Sequence, residues 1–265
     1  MVDKKIIFFD FDGTLTPGGL QAMQKNKLLE TFKRLTQLTP NTSGNFSSEI
    51  KSKVFEKLWS FYIKGKSEWE IKRDIINLIN NPNQKIELFP GVKERLEHLN
   101  NEGHEMHIIS RSPVEFVSTI LERDKIKNYF KGIHATEAEK ILKGENISKS
   151  EKKLSKNLDL VKKQFFYNGK MKIRPMTPVE RAKKMFSILK KENKDVVIVG
   201  DSWTDVQTTV KLIELLKKSR KKNAVSLVIQ RQIDMDKIKT AVANAGGKVI
   251  FSKDHPTQNI GKVFI

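Results

Sequence analysis

The chain contains no cysteine. That absence removes disulfides, thiolate nucleophiles, Cys-ligated zinc and iron–sulfur clusters together, and it suits a reducing compartment. Long apolar runs are missing as well. No window approaches the ~18 apolar residues of a membrane-spanning helix. The short apolar stretch near the N-terminus is cut by Asp10, so no secretory signal core fits there. The five histidines show no metal-ligand spacing. Together these absences lead us to expect a soluble protein of the cytoplasm, in its own cell or in a host after delivery, without a signal peptide or transmembrane segment.

Acidic charge is also in short supply: 31 Asp and Glu stand against 50 Lys and Arg, a formal net charge of +19. Residues 140–194 alone hold 17 basic and five acidic residues, and residues 217–222 add a second basic run. This fits either solvated lysine-rich helix faces or a basic face that steers polyanionic substrates or adheres to an anionic membrane surface. No RNA-binding signature or aromatic stacking ladder accompanies the lysines, which argues against nucleic acid as a partner. Core material is ample. With 265 residues, 38% of them hydrophobic, and 15 Phe, the chain makes one large domain or a domain with an insertion.

Residues 5–9 form a short β-branched and aromatic run that ends at Asp10, which predicts a buried strand. Runs of the same shape lie at 107–110, 195–200 and 224–229. Helical patterns separate them, at 92–100, 113–123 and 178–191. The last opens well, with Thr177 as N-cap, Pro178 at the first position and Glu180 three residues after the cap. Strands alternating with helices predict an α/β fold: a Rossmann-like parallel sheet with helices on both faces. Residues 17–88 break the rhythm and read as helix after helix, over about 20–37, 47–64 and 67–80. We expect an all-helical cap at 17–88, inserted in a core made of 1–16 and 89–265. An aromatic cluster of Phe55, Trp59, Phe61 and Tyr62 reads mainly as the core of that cap. Residues 137–168 are lysine-rich and read as a helical excursion or a loop.

Four pieces carry chemistry. Asp10-Phe11-Asp12-Gly13-Thr14-Leu15-Thr16 ends the first strand and Ser110 ends the second. A lysine-bearing helix start follows around 172–184, and Gly200-Asp201-Ser202-Trp203-Thr204-Asp205 ends the strand after it. In an open α/β sheet, ligands bind outside the carboxyl ends of the strands, so all four can meet in one crevice. The chemistry this arrangement supports is phosphoryl transfer through an aspartyl phosphate. Asp10 is the candidate nucleophile and Asp12 the general acid and base. Mg²⁺ would relieve the repulsion between carboxylate and phosphate, held by Asp10, Asp12 and Asp201 with Asp205 in support. Ser110 and a lysine would neutralise the phosphoryl oxygens. Asp205 also reads as a plain helix cap, and Trp203 as core or as a stacking surface for substrate. His104 and His107, flanking a strand, read as structural.

The segment 10–16 resembles the first motif of the haloacid dehalogenase-like superfamily, Asp-x-Asp-Gly-Thr-hydrophobic-Thr/Ser. Ile108-Ile109-Ser110 resembles its second motif, and Gly200-Asp201 with Asp205 its fourth. Phe89-Pro90-Gly91-Val92 and Asn101-Glu102-Gly103-His104 are similar to the stretch that usually precedes the second. The insertion falls where many members carry a cap, and an acid at position 12 matches the phosphatase and phosphomutase branches. The resemblance therefore implies a Mg²⁺-dependent phosphatase acting on a phosphorylated metabolite or a phosphoprotein, phosphotyrosine included. A binding module with the same fold and vestigial catalysis, docked on an anionic membrane or a partner, is the alternative. The third motif departs from the pattern. Lys183 lies 18 residues before Asp201 and Lys172 lies 29 before it. Helix register favours Lys183 over Lys172, with Lys170, Arg174, Arg181 and Lys184 as further candidates.

Overall fold

The structure, a computed structural model, describes residues 3–17, 56–57, 59–60, 62–80, 86–142, 165–190, 194–230 and 234–252. Four consecutive apolar residues with no polar alternation, β1 (Ile6–Phe9), are buried on both faces. Such a strand belongs in the middle of a parallel sheet. Around it run β2 (Glu105–Pro113), β3 (Phe130–Leu142), β4 (Phe165–Ile173), β5 (Val196–Gly200), β6 (Val225–Gln230) and β7 (Lys248–Ser252), in the order β4-β3-β2-β1-β5-β6-β7. All neighbours are parallel except β3 and β4, which are antiparallel.

Helices cover both faces. On one side α1 (Glu68–Ile79), α2 (Val92–Asn101) and α3 (Val114–Arg123) pack their apolar stripes against Ile7, Phe9, Ile108, Val197 and Val199. On the other, α4 (Pro178–Leu189), α5 (Trp203–Lys218) and α6 (Met235–Ala245) pack against Ile6, Phe8, Val196, Ile198 and Leu227. The α/β class and the two-sided helical cover agree with the sequence reading.

Helix α1 begins with a reciprocal cap between Ser67 and Glu70 and buries Ile71, Ile75 and Ile79 in the same apolar cluster as Phe116, Val117 and Ile120 of α3. Trp59 is buried there too, while the half-buried Tyr62 donates to Asp74 at 2.9 Å. Phe55, Phe61 and the helices expected over 20–37 and much of 47–64 lie outside the described residues. Two expectations need correction. Strand β2 reaches beyond 107–110 at both ends. Residues 137–168 are in part strand: β3 continues to Leu142, and β4 returns antiparallel from Phe165. Lysines concealed this pairing because β4 is an edge strand, where exposed charge is tolerated and keeps the edge from pairing further. The described arm is fastened to the helical segment by backbone bonds from Gly65 to Tyr167 and from Tyr167 to Lys66.

Candidate active site

Asp10 follows β1 directly and is tied to β5 by its amide, 2.9 Å from the Val199 carbonyl. Phe11 and Leu15 are buried, and the turn between them folds back on the Phe11 carbonyl. Gly13 is required in that turn. Its φ is +77°, and a Cβ there would lie 2.0 Å from Asp201 Oδ2. The glycine thus lets the first loop close on the loop that follows β5.

That second loop is organised by Asp205 on the first turn of α5. Its Oδ2 accepts from the Asp201 amide at 3.2 Å, the Ser202 amide at 3.1 Å and the Ser202 hydroxyl at 2.7 Å. Its Oδ1 pairs with Arg181 at 3.0 Å. Asp205 therefore caps α5 with one oxygen and pairs with Arg181 through the other. Asp10, Asp201 and Asp205 bring carboxylate oxygens within 4.8 Å of one another. Crowding and burial make this costly. Burial, and then the neighbouring Asp205 and Asp201, push Asp10 well above the usual carboxylate range despite Arg181. Burial and Asp205 push Asp201 up to about 7.

Arg181 supplies the counter-charge. It is fully buried, with one guanidinium nitrogen 3.2 Å from Asp10 Oδ1 and 2.9 Å from the Ile109 carbonyl, and the other on Asp205. Burial works against its charge, but Asp10 and Asp205 outweigh it and hold its pKa above the ordinary value. Sequence reasoning ranked Lys183 first, and the structure places it elsewhere: Lys183 is exposed on α4, and Lys172 is an exposed partner of Glu137 at 3.0 Å. The missed signal was periodicity. Arg181 falls in the apolar stripe of α4 with Pro178, Ala182, Met185 and Leu189, and lies 20 residues before Asp201. A charged residue on the buried face of a helix needs a buried partner.

Ser110 is fully buried at the carboxyl end of β2, and its Oγ accepts from the Ser112 amide at 3.0 Å. Asp12 stands apart from the three clustered carboxylates, and its Oδ2 accepts from the Ser112 hydroxyl. Arg111 is half-buried and within electrostatic reach of Asp10 and Arg181. Burial pulls its pKa down. Trp203 is 38% exposed with Lys237 over its ring, so it is not core. His107 is structural, stacked between Phe8 and His134. His104, buried beside it in sequence, accepts from the Lys5 amide. The basic run 217–222 begins in the last turn of α5 and leads toward the start of β6, so it sits at the sheet edge opposite Asp10.

The sheet thus carries Asp10 after its central strand β1 and the Asp201–Asp205 loop after the neighbouring strand β5. The model of the haloacid dehalogenase-like hydrolases matches residues 7–169, more than half of the chain, and the protein belongs to that family. Among solved structures, a substrate-bound phosphoserine phosphatase complex matches over 100% of both chains at 15% identity, with a TM-score of 0.56. A Bordetella pertussis protein of unknown function covers 94% of this chain and 98% of its own at 13% identity, TM-score 0.57. A probable phosphoserine phosphatase from Vibrio cholerae covers 94% of this chain and 62% of its own at 12% identity, TM-score 0.52. At these identities the likeness is one of fold. No curated protein matches the sequence. Among the described residues no helix is long and apolar enough to cross a membrane.

Proposed function

We propose that the protein is a Mg²⁺-dependent phosphatase that hydrolyses monoesters of small phosphorylated molecules through an aspartyl phosphate on Asp10. The observation that carries this reading is Asp10 itself: a partly accessible carboxylate at the carboxyl edge of the sheet, with one oxygen held by Arg181 and Asp201 and Asp205 beside it. Family membership and the phosphatase-like fold support it.

The donor set fits the cation. Three carboxylates with converging oxygens, two of which (Asp10 and Asp201) burial and crowding push up in pKa, form a hard, anionic oxygen site that one arginine does not neutralise. Asp10 and Asp201 would hold Mg²⁺, with Asp205 completing the acidic group. Bound there, the ion would offset the charge between carboxylate and phosphoryl oxygens.

The chain's own residues do the rest. Arg181 fixes Asp10 Oδ1, which leaves Oδ2 to attack phosphorus as the bond to the leaving oxygen breaks. Asp12 gives its proton to that oxygen. It then takes one from the water that attacks the aspartyl phosphate, which frees inorganic phosphate and restores Asp10. Ser110, whose oxygen already accepts from Ser112, keeps its proton for a phosphoryl oxygen. Hydrolysis of p-nitrophenyl phosphate tests the reading. We expect turnover that stops on chelation and in Asp10→Asn. Turnover that survives either change would overturn it.

A further inference from the structure

Between Ile109 and Pro113 the β2–β3 register slips. Ile109 faces His134 and Pro113 faces Thr136, so β2 advances four residues while β3 advances two. Between these pairs β2 has three residues, Ser110, Arg111 and Ser112, where β3 has Ala135 alone, and Ser110 and Ser112 are both buried. Regular strand alternation would also put Ser110 and Ser112 on one face. The bulge further frees the Ser112 amide from the ladder and turns it onto Ser110 Oγ at 3.0 Å. The bulge is pinned from β3, where the Thr136 hydroxyl donates to the Arg111 carbonyl at 2.6 Å. Its product is a short relay: the Ser112 amide holds Ser110, and the Ser112 hydroxyl holds Asp12 Oδ2.

We infer that Ser112 is the positioning residue for the proton-transfer step, orienting the Asp12 carboxyl group toward the leaving oxygen. This deepens the phosphatase reading above and rests on it. Ser112 is buried and its hydroxyl is already given to Asp12 Oδ2, so it acts through Asp12. A carboxyl group attached to a mobile loop by its backbone alone samples several rotamers, whereas proton transfer requires it within hydrogen-bond reach of one atom. Holding Oδ2 fixes the plane of the carboxyl group and with it the direction of Oδ1. Because the same side chain also ties down Ser110 through its amide, the distance between the phosphoryl-binding hydroxyl and the acid is set within one three-residue bulge.

Leaving-group dependence separates this role from a merely structural one. p-Nitrophenolate departs with little need of a proton, whereas phenolate of otherwise similar shape needs one. Ser112→Ala is expected to lower kcat for phenyl phosphate by about tenfold or more, within the range that general acids contribute. For p-nitrophenyl phosphate it should change kcat less than about threefold, with KM unchanged for both. Ser112→Thr, which keeps the hydroxyl, should restore phenyl phosphate turnover. Equal losses on the two esters, or Ser112→Thr as poor as Ser112→Ala, would overturn the inference while wild-type activity and its loss in Asp10→Asn left the phosphatase reading intact. Turnover persisting in Asp10→Asn would instead overturn that reading, and the assignment of Ser112 with it.

Discussion

Arg181 is the residue on which the site's electrostatics turn. A buried ion pair is weak evidence for stability, since desolvation offsets much of the attraction, but removing one partner strands the others. In Arg181→Ala, Asp10 and Asp205 would be left buried without a cation. We expect a loss of about 3–5 kcal/mol in unfolding free energy, the usual cost of breaking a buried pair, together with loss of turnover. Arg181→Lys keeps the charge but not the fork that reaches Asp10, Asp205 and the Ile109 carbonyl at once, so it should fall between the two. Lys183→Ala should stay within about twofold of wild-type kcat/KM, because an exposed side chain of this kind contributes little. Denaturant melts and p-nitrophenyl phosphate kinetics on the three variants check the assignment, and a reversed order for Arg181 and Lys183 would refute it. Gly13 is the second sensitive position. In Gly13→Ala a methyl group would meet the Asp201 carboxylate at a backbone angle that alanine resists. Mg²⁺-dependent activity should be lost even where the protein still folds.

At the scale of elements, α1 ties the helical segment to the sheet. Its Ile71 and Ile75 lie in the same apolar cluster as α3 and the β1 side chains Ile7 and Phe9. Truncating such a residue removes buried methyls and leaves a cavity, at a cost of roughly 2–5 kcal/mol. We expect Ile71→Ala to lower a single thermal transition rather than to split it. Two separated transitions in calorimetry would show that α1 melts independently of the sheet. Helix α4 offers a milder perturbation. Thr177 caps it by accepting from the Glu180 amide while the Glu180 carboxylate accepts from Thr177. Thr177→Ala should cost about 1 kcal/mol. Because this cap sits four residues before Arg181, the cost should come with a modest loss of turnover.

For the molecule as a whole, one contribution to pH dependence comes from two stacked histidines on β2 and β3, opposite in sign to that of the raised Asp10 and Asp201. Burial, then Lys184 and His107, pull His134 from 6.5 down to about 4, and burial lowers His107 despite Glu105. Both are held below their unfolded values, so between pH 6.5 and about 4 these two side chains bind more protons in the unfolded chain than in the folded one. Stability attributable to them is present above pH 6.5 and is lost as pH falls through that window. His134→Gln should flatten that part of the curve when unfolding free energy is measured against pH. An unchanged slope would show that other groups govern acid unfolding. On the proposed reading Mg²⁺ would bind at the carboxyl ends of β1 and β5, at Asp10 and Asp201. Binding to the folded state alone raises the melting temperature with concentration. We expect that rise in wild type and not in Asp201→Asn.

The sequence by itself determined the α/β class, the family, and the two loops that carry Asp10 and Asp201. Each of these is a contiguous segment whose strand, turn and glycine pattern dictates its own conformation. Trp203, Arg111 and the antiparallel β4 were not legible in the same way. A charged or aromatic residue looks alike in sequence whether it faces water or a crevice, and a lysine-rich edge strand carries no alternation to betray it. Only the tertiary structure put Arg181 rather than Lys183 against Asp10, since that depends on how α4 is rotated against the sheet. It alone joined Ser112 to Asp12, 100 residues apart, because a slip in strand register leaves no mark in the residues that undergo it.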